Sequence, residues 1–443
     1  VTARRPMAVL AAATVCGAVL SGCGGATETD TSLSLGWGPC GDLADYVTDL
    51  GIDPGVVERL QCTSVDVPLN YDDPDGRTVE LALSRITGTD PGAPTLFVNP
   101  GGPGVEGRSM AAAVASSLGV GGTVVGIDLR GTGASTGLAC PEPDDPDTDD
   151  DAALTAYAES IAEANADCVG VDPGLVASMT TANAARDLDA VRRALGLDTV
   201  DFLGVSWGTV LGAELQSRFP EHLRRVVLDS MDYTGTSAAE ALRVLATADP
   251  DAAPGLVPEP NDIVPEGEDA PAPDEPDVPS DTDPGAAGDD TPLDPSTEDF
   301  LEHAVNPTAG TAYICNSLGP VGDTETQLAE HRALNADIRR DPQRRIEFPA
   351  DSDVPGISLC TGWPLDGEPT SVANTGTDLL IIGHRDEFVT PYPWALDAHD
   401  AMGGRLLTIE DSVHGSTVGS SCGGLVTEFL ASGRVVQDDC APQ

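Results

Sequence analysis

Val200-Asp201-Phe202-Leu203-Gly204-Val205-Ser206-Trp207-Gly208-Thr209-Val210-Leu211-Gly212 is the stretch from which the fold can be read. A strand-like apolar run, Val200 to Leu203, passes through Gly204-Val205-Ser206-Trp207-Gly208 into a helix rich in small residues, Trp207 to Phe219. In that context a G-x-S-x-G has a mechanical meaning. Glycines on either side of the serine allow a sharp, strained turn that pushes the hydroxyl out of the top of a sheet. Ser206 is therefore the candidate nucleophile. A bare G-x-S-x-G also arises by chance around a buried serine, so the assignment needs the flanking elements and partner residues elsewhere.

Outward from this stretch, strand-like and helix-like segments alternate. Thr63–Val67 and Arg77–Arg85 flank Asp72-Asp73-Pro74-Asp75-Gly76 and read as a hairpin. Thr95–Asn99, Thr123–Asp128 and Arg225–Leu228 read as strands, and Thr180–Leu195 as a helix closed by Gly196. The alternation predicts a mostly parallel sheet with helices on both faces. It stops near Thr234, and Asp249–Asp299 holds 12 prolines and 17 acids, a composition expected to stay disordered or extended. A small helical unit follows, with Thr324–Arg339 its best helix; strands resume at Asp378–Gly383 and Arg405–Ile409, and a last helix lies near Gly423–Ala431. The expected organisation is one domain with an insertion: core residues 39–235, a cap insertion at 236–376 with 249–299 disordered, and core residues 377–443.

Composition limits the partners. The 443 residues carry 73 acids against 22 bases, a formal charge of −51, and every base is an arginine. Nucleic-acid binding is excluded, since phosphate recognition needs a basic surface. Pro141–Asp151 and Asp249–Asp299 contain 7 and 17 of the acids and no base, which leaves the rest still acidic. At the start, Arg4 and Arg5 precede an uncharged run, Met7–Leu20, too short to span a bilayer comfortably. Leu20-Ser21-Gly22-Cys23 resembles a bacterial lipobox, so residues 1–22 are expected to be a signal peptide, Cys23 the lipidated residue and 23–38 a tether. The protein is then expected on the outer face of the cell membrane, touching it only through that anchor. Eight further cysteines, Cys40, Cys62, Cys140, Cys168, Cys315, Cys360, Cys422 and Cys440, are an even number suited to disulfides in an exported chain. Sequence leaves the pairing open, and the simplest arrangement joins neighbours.

Three further signals bear on chemistry. Asn99-Pro100-Gly101-Gly102-Pro103-Gly104 ends a strand where main-chain N–H groups could meet a developing oxyanion. The prolines lack an N–H, so Gly102 is the chosen donor, paired with the N–H of Trp207. Among six histidines, His414 follows the last strand in a loop, where the order serine, acid, histidine requires the base; His384 is the competitor. The orienting acid is expected after the penultimate strand, at Asp386, with Asp229 as the alternative. Glu106, just beyond the glycine loop, could attract a peptide's ammonium group or stabilise the first turn of a helix. Asp128 and Arg130 read as an ion pair or turn brace behind the loop.

Together, Asn99–Gly104, Gly126-Ile127-Asp128-Leu129-Arg130-Gly131-Thr132-Gly133-Ala134-Ser135, the serine turn, Cys360-Thr361-Gly362-Trp363-Pro364, the Asp386 and His414 loops and Cys422 through Cys440 resemble the tripeptidyl aminopeptidase and proline iminopeptidase family of α/β-hydrolases. The resemblance implies an α/β-hydrolase fold, a Ser206, Asp386, His414 triad, and a secreted actinobacterial serine exopeptidase with a tripeptidyl-type C-terminal region. Trp207 follows the serine as in proline iminopeptidases. The expected activity is aminopeptidase cleavage through an acyl-enzyme, on a peptide or ester substrate, with no metal or organic cofactor. Two rivals keep the same fold: an esterase or lipase with the same triad, and a catalytically silent surface lipoprotein.

Overall fold

Within Asp378–His384, Leu379 and Ile381 enter one layer of the core while Leu380 and Ile382 enter the other. Val226 and Leu228 alternate with Val227 in the same way. Period-two alternation with both faces apolar means a strand covered on both sides. The computed structural model describes residues 35–141, 143, 151–232, 304–318, 323–340 and 358–442. The leader with Cys23 and the proline- and acid-rich 249–299 lie outside the described residues.

The strands are β1 (Leu60–Pro68), β2 (Thr78–Ile86), β3 (Leu96–Asn99), β4 (Val124–Ile127), β5 (Val200–Val205), β6 (Leu223–Asp229), β7 (Asp378–His384), β8 (Arg405–Ile409) and β9 (Asp439–Cys440). They form one sheet in the order β1-β2-β4-β3-β5-β6-β7-β8-β9. β1 pairs with β2, and β2 with β4, antiparallel; all other neighbours are parallel. Thus the expected hairpin forms one edge of a mostly parallel sheet, as the alternation predicted.

The helices are α1 (Asp42–Asp49), α2 (Pro54–Val57), α3 (Arg108–Ser117), α4 (Asp151–Val171), α5 (Pro173–Ser178), α6 (Thr181–Ala194), α7 (Trp207–Arg218), α8 (Pro307–Leu318), α9 (Thr324–Arg340), α10 (Tyr392–Met402) and α11 (Gly423–Ser432). Leu188 and Val191 of α6, Leu211 of α7 and Ala395 of α10 pack on one sheet face. Ala111 and Val114 of α3 and Val426 and Phe429 of α11 cover the other. Phe202 is fully buried between β5's neighbours and α7, a burial that contributes about 2 kcal/mol relative to exposure. α6 starts where the Thr180 hydroxyl accepts the Asn183 N–H, and its last turn carries Arg192 and Arg193.

β6 and β7 are parallel neighbours, yet residues 230–377 separate them in sequence. Within that insertion, α8 returns over the loops at the carboxyl ends of the strands, and α9 packs on α4. Disulfides Cys40–Cys62, Cys140–Cys168, Cys315–Cys360 and Cys422–Cys440 join neighbours throughout. The third ties α8 to the segment entering Thr361.

Candidate active site

Register places the site. Asn99 at the end of β3 lies beside Gly204, Val205 beside Asp229, and Asp229 beside Ile382. The carboxyl ends of β3, β5, β6 and β7 therefore meet at one edge, where ligands bind in open α/β sheets.

Ser206 is the residue between β5 and α7, with φ 57° and ψ −130°. Its N–H donates to Asp229 O at 3.1 Å, which fixes the turn on β6. The flanking glycines are obligatory: a Cβ on Gly204 would sit 2.2 Å from Gly208 O, and one on Gly208 would sit 2.5 Å from Asn99 O. Trp207 then opens α7, so its N–H is one of the helix-terminal donors without an intrahelical acceptor.

The glycine loop presses directly against this turn. A Cβ on Gly101 would lie 2.5 Å from Val205 O and 2.8 Å from Trp207 N. Gly101 donates its own N–H to Asn99 Oδ1 at 3.2 Å, while Gly102 is exposed at the rim. The insertion holds the loop from above: Asn306 N–H donates to Gly104 O at 2.9 Å, and Glu106 N–H donates to Ala304 O at 2.8 Å. Tyr313 of α8 packs on Trp207, ring centroids 5.3 Å apart, and donates its hydroxyl to Arg130 O.

His414 lies on the loop after β8, part-exposed, and its Nδ1 shares a short hydrogen bond with Glu387 Oε1. Glu387 is fully buried. Thr390 donates to Glu387 Oε1 from its N–H at 3.2 Å and from its hydroxyl at 2.6 Å, and Ser230 Oγ donates to Oε2 at 3.1 Å. Asp386, the acid expected from sequence, is exposed, and its main-chain N–H donates to Asp411 O. The chain turns outward at Arg385 and Asp386 and inward again at Glu387. The carboxylate on His414 is therefore Glu387.

The alternative base and acid are occupied with each other. His384 Nδ1–H donates to Asp411 Oδ1 at 2.6 Å and Nε2–H donates to Asp229 Oδ1 at 2.9 Å. Burial opposes a charge on this ring, but the hydrogen bonds to Asp229 and Asp411 outweigh it and raise the pKa to about 10. His384 is a buried imidazolium with both nitrogens committed and cannot serve as a base.

Family comparison agrees with the fold. Residues 94–260 match the α/β hydrolase fold model, and residues 351–441 match the TAP-like protein model. The chain has the α/β-hydrolase fold. A tripeptidyl aminopeptidase of Streptomyces coelicolor is 36% identical over 200 residues, 41% of this chain and 37% of that protein. The serine protease Hip1 of Mycobacterium tuberculosis is 34% identical over 188 residues, 38% of this chain and 35% of that protein. A carboxylesterase B of the same organism is 35% identical over 192 residues, covering 40% and 37%. The matched stretch is thus little more than a third of each relative's length. Among solved structures, the proline iminopeptidase of Mycobacterium smegmatis matches with TM-score 0.37 and 18% identity, over 84% of this chain and 98% of that one.

Around the glycine loop the structure selects between readings that the sequence left open. Glu106 is buried, 2% exposed, and does not face the site. Its Oε2 accepts the N–H groups of Arg108 and Ser109, at 2.8 and 3.1 Å, so it caps the start of α3. Burial first, then the charge of Asp128, raise its pKa to about 7. Asp128 and Arg130 do not pair with each other. Asp128 accepts from Gly107 and Ala134 N–H and pairs with Arg108; Arg130 is buried against Asp187 and donates to Pro68 O and Leu69 O. Both brace turns behind the loop. Glu387 had one local signal in the sequence: an acid three residues ahead of Thr390, whose N–H and hydroxyl can both fold back onto it.

Proposed function

We propose that this chain is an exported serine hydrolase that removes residues or short peptides from peptide N-termini through an acyl-enzyme on Ser206. The observation that carries this is the His414 to Glu387 hydrogen bond at the same strand ends as the left-handed Ser206 turn. His414 Nε2 takes the Ser206 hydroxyl proton as Oγ attacks the carbonyl carbon. The oxyanion lies against the N–H groups of Gly102 and Trp207, and preorganised donors of this kind are each worth about 10² to 10³ in rate. Collapse of the tetrahedral adduct breaks the C–N bond, and His414 returns the proton to the leaving amine. Water, deprotonated by the same imidazole, then releases the acid and restores Ser206. Glu387 fixes the His414 tautomer and stabilises the imidazolium without taking the proton.

Peptidase specificity is supported by the tripeptidyl aminopeptidase and Hip1 relatives and by the TAP-like region. The carboxylesterase relative favours a second reading, ester hydrolysis by the same residues. The leader, Cys23 and the four disulfides support placement of the protein outside the cell. The deciding test compares kcat/KM on one alanine- or proline-containing reporter, N-terminus free or acetylated, beside a simple ester, with Ser206→Ala as blank. Preference for the free amine establishes the aminopeptidase. Cleavage of the ester alone, or equal cleavage of both peptides, establishes the second reading.

A further inference from the structure

Among the described residues, Ser206 and Ser230 are the two non-glycine residues with positive φ, at 57° and 52°. Such a conformation is disfavoured for any residue with a Cβ, and it persists where the surroundings hold it for a purpose. Ser206 has that purpose in the nucleophile turn. Ser230 follows β6 directly, is fully buried, and uses its side chain on both sides. Its Oγ donates to Glu387 Oε2 at 3.1 Å, and Gly415 N–H donates to the same Oγ at 2.8 Å.

Those two contacts reach two different loops. Glu387 stands on the loop after β7, and Gly415 is the residue next to His414 on the loop after β8. One hydroxyl thus ties the orienting carboxylate and the histidine's backbone to the end of β6. That strand end also anchors the nucleophile, since Ser206 N–H donates to Asp229 O.

We propose that Ser230 is a positioning residue of the acyl-transfer site, its hydroxyl setting the register between Glu387 and the His414 loop. The inference rests on the Ser206, His414, Glu387 reading above. A left-handed serine where glycine would sit without strain is accounted for by the hydroxyl that glycine lacks. Thr390 fixes Oε1 of Glu387, the oxygen that meets His414, and Ser230 fixes Oε2, so the carboxylate cannot rotate about its last torsion.

The test uses the full chain with Ser230→Gly, which removes the hydroxyl and relieves the backbone, and Ser230→Ala, which removes the hydroxyl and keeps the strain. Both are measured for kcat and KM on the substrate the parent cleaves best, for the pH profile of kcat/KM, and for the rate of fluorophosphonate labelling. In Ser230→Gly we expect kcat to fall by about tenfold or more, toward the ~10²-fold that a misplacement of about 1 Å can cost, with KM nearly unchanged. Without the Ser230 donor, more charge faces the imidazole from Glu387, so the acid-side midpoint moves to higher pH. Parent-like kcat and pH profile in Ser230→Gly overturn the proposal even if Ser230→Ala is impaired or fails to fold, because strain alone then accounts for the alanine variant. A parent that fluorophosphonate does not label overturns the serine-hydrolase reading and the proposal with it. A labelled parent beside an unaffected Ser230→Gly overturns the proposal alone.

Discussion

Glu387 meets His414 through Oε1 and Nδ1, while its neighbour Asp386 projects into solvent. Two acids side by side thus have opposite fates, set by a single step of the turn after β7. If the geometry governs catalysis, Glu387→Gln should lower kcat/KM by about 10³ to 10⁴, the loss expected when the imidazole is left in the wrong tautomer. Asp386→Asn should be close to the parent. Steady-state kinetics on one substrate decide this, and a severe loss in Asp386→Asn with a mild one in Glu387→Gln would reverse the assignment.

How much of this was legible in the chain can be seen at the same turn. The serine turn, the glycine loop and His414 were readable because each sits where an apolar strand ends and each is constrained locally, by glycines or by chain order. β6 and β7 announced themselves by short apolar runs, buried on both faces. The choice between Asp386 and Glu387 depends instead on where the chain folds back after His384, and that is set by tertiary partners: Thr390, Ser230 and the His414 loop. α4 escaped the reading because its first residues continue an acidic run, and its burial comes from contacts with α9 and the Cys360 segment. β9 has two residues, and its pairing with β8 is held by the Cys422–Cys440 bridge, which periodicity cannot report.

Gly101→Ala should abolish turnover with the fold intact elsewhere. At φ +100° the new methyl would be 2.5 Å from Val205 O and 2.9 Å from Ser206 Cβ, so the loop or the nucleophile must move. Activity lost together with fluorophosphonate labelling, with an unchanged circular dichroism spectrum, is the expected outcome. A variant that keeps parent kcat/KM would show that the loop does not abut the nucleophile as described.

The His384 clamp makes stability depend on pH with a definite sign. Its pKa is raised from 6.5 to about 10, so the folded state binds the proton more tightly than the unfolded chain. The stabilisation is complete below about pH 6.5 and is lost as pH rises through about 10. Measured as the Tm difference between the parent and His384→Gln at pH 6, 8 and 10, the parent's advantage should shrink steadily as pH increases. A constant difference would mean that the ring is not charged.

Glu106 titrates the other way round in residue type and the same way in sign. Its carboxyl is raised from 4.5 to about 7, so the folded state prefers the neutral acid. That contribution is complete below about pH 4.5 and is lost as pH rises through 7. Glu106→Gln, which still accepts the α3 N–H groups, should therefore gain in Tm relative to the parent at pH 8 compared with pH 5. Any preference for free-amine substrates should be unchanged, because the side chain is buried; a lost preference would return Glu106 to the binding site.

Cys315–Cys360 ties α8, with Tyr313 over Trp207, to the rest of the insertion. Replacing both cysteines with alanine should cost about 2 to 4 kcal/mol of stability. Because α8 follows directly on Asn306, which holds the glycine loop, kcat should fall as well. Denaturant unfolding and kinetics on the double variant check the two effects separately, and an unchanged kcat would show that the insertion does not support the loop.

The proposed nucleophile is Ser206, activated by His414 and Glu387. The most direct measurement is fluorophosphonate labelling of the parent and its variants, with the adduct located by peptide mass spectrometry. The expected result is a single adduct on Ser206, none in Ser206→Ala, strongly slowed labelling in His414→Ala and Glu387→Gln, and parent-like labelling in Asp386→Asn. No adduct on the parent, or an adduct on another residue, would contradict it.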